Sequence, residues 1–134
     1  VALPTYRYRF RKALESFVGR PSPQLLPSGP LVLLADGLWF QFKTQPWVLY
    51  LLAVKPCQGN YAVFLDPLLL AGTEQAVRWE QALAGIPRAT AKHIRAMVVD
   101  NLPGMRRLAC NHSWIVQLCH FHLLLKLYGQ RGSR

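Results

Sequence analysis

A single mixed α/β domain with the element order β-β-β-α-β-α-β is the fold class that this sequence predicts, and three observations predict it. Apolar runs of strand length fall at residues 31–42, 47–55 and 61–65, joined by short polar connections, as in an antiparallel meander. Two further runs, at 94–99 and 114–119, are each preceded by a helical pattern, which calls for crossover connections and parallel pairing. With 134 residues, 51% of them hydrophobic, the chain can build one core but hardly two.

The elements follow in order. Tyr6, Phe10, Leu14 and Phe17 recur at helical spacing with basic residues between them, so residues 6–18 read as an amphipathic helix ending near Gly19. Residues 20–30 hold four prolines and a Ser-Gly pair and read as a linker. Residues 1–30 thus form a basic helix and linker, and residues 31–134 the domain proper. The domain opens on LVLLADGLWFQF, an apolar strand interrupted by a carboxylate, Asp36. Asp-Gly between apolar runs is a hairpin signal, but Leu38, Phe40 and Phe42 continue the alternation, so the strand is expected to run on past Gly37 with a bend or bulge.

Residues 43–46 and 56–60 are read as turns. Thr73 is placed to cap a helix that reaches Ala84, with Ala76, Trp79 and Leu83 on its apolar face and Gly85-Ile86-Pro87 as its stop. Residues 101–109 read as a short helix, and a last helix starts near Phe121.

Sixteen Lys and Arg face only six acids, a net charge of +10. Such a surface favours a polyanion through counterion release, and nucleic acid is the expected partner, with Arg7, Arg9, Arg11, Lys12, Arg106 and Arg107 as contacts. No apolar run approaches the roughly 18 residues of a membrane helix. Three cysteines, an odd and sparse number, suit reduced thiols, and the expected location is cytoplasmic, on the nucleoid when DNA is bound. The chain opens at Val1 without a signal-peptide pattern and is expected to be a piece of a longer protein.

If the strand at 94–99 lies parallel to the first, Asp100 comes to face Asp36. Two carboxylates on adjacent strands repel unless a cation sits between them, and hard divalent ions held by oxygen ligands suit phosphodiester chemistry. Asp100 is also in place to cap the helix that follows. Asp66-Pro67 reads as a turn, and Glu74 and Glu80 as polar residues on the solvent face of their helix.

The segments ADGLW around Asp36, VVDNLPGM around Asp100 and CHFH at 119–122 resemble the ribonuclease H-like catalytic core of DD(E) transposases. Within that superfamily they look most like Mutator-like elements and related bacterial insertion-sequence transposases, which carry a Cys-x-x-His signature, here Cys119 to His122. The resemblance covers roughly residues 31–127 and rests on short motifs in matching order. It implies DNA strand cleavage and transfer at transposon ends and target, with Mg²⁺ or Mn²⁺ held by Asp36 and Asp100, and possible homo-oligomers of the full-length protein.

The chain also departs from the pattern. The family's third carboxylate lies after the second Asp, and no acid follows Asp100 here. The fragment is therefore expected to be inactive by itself. Cys119 and His122 are expected to fix a turn by packing and hydrogen bonding. Two alternatives stand beside this reading. Cys110, His112, Cys119 and His122 offer a Cys₂His₂ zinc set in a non-catalytic DNA-binding module, although their spacings are not those of a common finger. The apolar patterns near the two termini would also suit an assembly domain.

Overall fold

A computed structural model of the chain describes Tyr8, Arg9, Lys12 and residues 26–131. Most of the expected helix at 6–18, and with it Arg7 and Arg11, lies outside the described residues, as do residues 20–25 of the linker. Among the described residues there are six strands, β1 (Leu31–Phe42), β2 (Gln45–Pro56), β3 (Val63–Phe64), β4 (Leu68–Ala71), β5 (Ile94–Val99) and β6 (Ile115–Leu118). Four helices accompany them, α1 (Ala76–Ala84), α2 (Arg88–Ala91), α3 (Met105–Asn111) and α4 (His120–Arg131).

The result is a mixed α/β fold on one sheet in the order β3-β2-β1-β5-β6, with β4 also paired to β2. β1 and β2 are antiparallel over their whole length, from Leu31↔Pro56 to Phe42↔Gln45. That register has no slip, so the expected bulge past Gly37 is absent from the β1–β2 pairing. An irregularity appears instead where β1 meets β5, between Leu31 and Val32. The hairpin turns at Lys43 and Thr44, with φ of 48° and 66°, the left-handed pair of a tight two-residue connection. Pro46, expected in the turn, already belongs to β2.

Two corrections concern the edge. The strand expected at 61–65 is reduced to Val63–Phe64, because Asp66-Pro67 interrupts the ladder: proline has no N–H to donate. The chain then re-enters as β4, which pairs Leu68–Ala71 with Trp47–Tyr50 of the same β2. One edge is thus built from two short pieces. Sequence reading missed β4 because a four-residue apolar run beside a proline carries no period of its own.

β5 and β6 are parallel to β1 and to each other, as crossover connections require. Alternation along β1 sends Leu31, Leu33 and Ala35 into the core, where they meet Val48, Tyr50, Leu52 and Val54 of β2 and Met97 and Val99 of β5. α1 and α3 cover this face with Trp79, Leu83, Met105 and Leu108, all buried. Gly104, at φ 91°, allows that packing: a Cβ there would lie 2.7 Å from the Ala76 methyl. No helix among the described residues is long and apolar enough to cross a membrane.

Candidate functional site

The ends of β1 and β5 position the first two acids. The parallel register pairs Leu33 with Met97 and Leu34 with Val98, and two more steps along it bring Asp36 level with Asp100. Both line one cavity of about 60 Å³ with Glu74, Trp79, Met105 and His122. The expectation that the two aspartates face each other therefore holds. Asp36 does not lie buried in a central strand, however: its side chain keeps 53% of its surface exposed, because β5 ends one residue before Asp100 and leaves β1 open beyond.

Asp100 does not cap a helix. Its Oδ1 accepts the Asn101 amide at 2.6 Å, and α3 begins five residues later with Gly104 at its cap. The same oxygen accepts from Lys126 Nζ at 3.3 Å. Burial by itself would raise the Asp100 carboxyl. The Asn101 amide, Lys126 and His122 together outweigh it and hold the group below its ordinary range.

Glu74 is the acid that sequence reading misplaced. The helix expected to start after Thr73 starts at Ala76, with Gln75 at the cap in an extended conformation, so Glu74 lies ahead of the helix rather than on its solvent face. Its Oε1 accepts the indole N–H of Trp79 at 2.9 Å, and Trp79 is fixed in turn by burial and an edge-on contact with Tyr50 at 4.8 Å between ring centres. The carboxylate lies directly against the backbone of β1: a Cβ on Gly37 would come within 2.6 Å of Oε1. Gly37 is therefore room for Glu74 and not a turn. Burial pushes the Glu74 carboxyl up, and the charges of Asp36 and Asp100 push it further, against the opposing Trp79 bond and His122. A glycine following an acid inside a strand was the one available signal, and it has two readings until the strand's neighbours are known.

Helix α4 brings two basic side chains to the acids. His122 and Lys126, one turn apart, face the two aspartates, with His122 Nε2 3.8 Å from Asp36 Oδ1. His122 Nδ1 is buried without a hydrogen-bond partner among the described residues. The turn before α4 is set by Cys119, whose amide donates to Val99 O at 2.8 Å and whose carbonyl accepts from Leu123. Cys119 thus ties β6 to the end of β5 through its backbone, and His122 belongs to the acidic cavity.

Cys110 and His112 do not join Cys119 and His122. The first pair precedes β6 and the second follows it, separated by a four-residue strand roughly 13 Å long, and the His112 ring stacks on Trp114 at 4.3 Å. Among the described residues, no three His, Cys, Asp or Glu side chains converge as a metal-ligand group. Arg106 and Arg107, two of the expected DNA contacts, are exposed on α3, whose first residue Met105 lines the cavity. Arg9 and Lys12 are exposed as well. Asp66 and Glu80 are exposed away from the cavity lining.

No protein-family model matches the chain, and no curated protein matches it. The functional reading therefore rests on the site itself.

Proposed function

We propose that this chain carries the carboxylate site of a metal-dependent DNA strand-cleaving and strand-transferring enzyme of the DD(E) transposase kind, on a ribonuclease H-like fold. The observation that carries the reading is the meeting of Asp36 and Asp100, from adjacent parallel strands, in one cavity with Glu74. The strand order, with an antiparallel meander continued by two parallel strands, agrees with it.

By donor chemistry Asp36 and Asp100 suit Mg²⁺ or Mn²⁺, which take oxygen ligands and accept one or two protein carboxylates with water; Glu74 lines the same cavity but does not converge with them as a three-ligand group. Burial raises the Glu74 pKa most, and the charges of Asp36 and Asp100 add a repulsion that a cation would relieve. When bound, such an ion polarises a phosphodiester and lowers the pKa of water. Asp36 and Asp100 would hold it. Glu74 offers a third carboxylate from ahead of Asp100 in the chain, where the family pattern has one behind.

The protein's own residues divide the remaining work. Gly37 and Trp79 orient Glu74, and the Asn101 amide orients Asp100. Lys126 partly neutralises the pair, His122 stands against Asp36, and Arg106 and Arg107 offer charge to DNA phosphates. Because Lys126 already takes up part of the carboxylate charge, metal affinity is expected to be weak and plasmid cleavage by this chain to stay at background.

Mn²⁺ titration followed by electron paramagnetic resonance tests the reading. The unmodified chain should bind Mn²⁺, Asp36→Asn and Asp100→Asn should lose that binding, and Glu74→Gln should weaken it. Binding that survives both Asp substitutions would overturn the proposal.

A further inference from the structure

β1 and β2 run well beyond the rest of the sheet. β5 pairs only with the first four residues of β1, so from Asp36 to Phe42 the outer edge of β1 has no neighbouring strand among the described residues. Side chains alternate along this extension, which puts Leu38, Phe40 and Phe42 on the same face as Asp36. All three are exposed, Leu38 by 50%, Phe40 by 41% and Phe42 by 58%. Trp47, the cross-strand partner of Phe40, lies on that face too, and Trp39 is 60% exposed on the other. An aromatic strip thus starts at a site carboxylate and runs roughly 20 Å to the hairpin tip. A core need does not explain it, since the core face of β1 is already filled by Leu31, Leu33 and Ala35.

The charge around the strip selects its occupant. Between Asp36 and Asp66 the chain has no acid at all, and Lys43 stands at the tip with its ammonium 5.5 Å from the Phe42 ring centre. Exposed rings beside a cation are how proteins hold single-stranded nucleic acid without reading its sequence: bases stack on the rings and the backbone meets the cation. Duplex DNA keeps its bases stacked on one another and gains little from such a strip.

We infer that the β1–β2 hairpin is a stacking platform for single-stranded DNA, with Phe40 and Phe42 as the principal rings and Lys43 as the phosphate contact. The inference rests on the proposed function in one respect: the strip would lead a strand toward Asp36. Its test is independent of metal.

The experiment is fluorescence anisotropy with labelled oligo-dT and a duplex of equal length, in EDTA at fixed salt, on the unmodified chain, Phe40→Ala/Phe42→Ala and Asp36→Asn. Both rings are exposed, so the double variant should melt like the parent. It should bind oligo-dT about tenfold more weakly, the loss of one or two stacked bases, and bind duplex with little change. Asp36→Asn should bind oligo-dT at least as well as the parent. Thus failure of the metal reading leaves this result standing, and failure here leaves the Mn²⁺ result standing. Equal losses on both DNAs, or no loss on oligo-dT, would overturn the platform. So would self-association of the parent that the double variant abolishes, since the strip would then be an interface between copies.

Discussion

Replacing Trp79 with Phe separates the two roles of that side chain. The indole is 2% exposed and its N–H donates to Glu74 at 2.9 Å. Phe retains a ring against Tyr50 but has no donor. Losing a hydrogen bond to an ionised carboxylate costs about 1.5 kcal/mol at the low end, the appropriate end because Glu74 is only half-buried. The smaller ring adds about 1 kcal/mol for incomplete filling. A total of about 2.5 kcal/mol corresponds to a midpoint lower by roughly 10 °C in a domain of this size.

The pH dependence decides whether the carboxylate is involved. The folded Glu74 pKa lies above its ordinary value, so the folded state holds that proton more tightly than the unfolded one, and stability falls as pH rises through the folded pKa. The Trp79 bond works against this rise, and removing it pushes the pKa higher still. The deficit of Trp79→Phe should therefore be smallest in acid, where Glu74 is protonated in both proteins, and should widen toward neutral pH. Urea unfolding at about pH 4 and about pH 7 measures it. A deficit equal at the two pH values, or larger in acid, would refute the argument that the bond serves the charged carboxylate.

Two other outcomes are expected. Because the excess of ten positive charges acts through phosphates, duplex DNA binding by the unmodified chain should be weak, indifferent to sequence and steeply reduced by salt in an anisotropy titration; salt-insensitive binding would remove the nucleic-acid role of the basic residues. Gly37→Ala should lower the melting midpoint by at most roughly 6 °C, because the new methyl displaces the Glu74 Oε1 that accepts the Trp79 N–H, and should weaken the Mn²⁺ response; an unchanged response would place Glu74 outside the ion's reach.

The sequence by itself determined the sheet's long strands and the parallel placement of β5, and it brought Asp36 to Asp100 on the one condition that β5 lies beside β1, which the structure meets. Those follow from local matters: the length and period of apolar runs, turn residues, and the need of a crossover connection for parallel strands. It also showed where the basic charge lies. Only tertiary structure decided the rest. β4 has too few residues to announce a period, and it exists because β2 is long enough to pair two edge pieces in succession. Whether Gly37 was a turn, a bulge or a space for another residue depended on what packs against β1. That neighbour, Glu74, comes from 37 positions away. His122 and Lys126 likewise reach the aspartates because β6 returns parallel to β5 and delivers α4 to the same end of the sheet. Periodicity tells which face of an element is buried, but a contact between distant side chains is set by how the elements stack, and no local pattern in the chain records that.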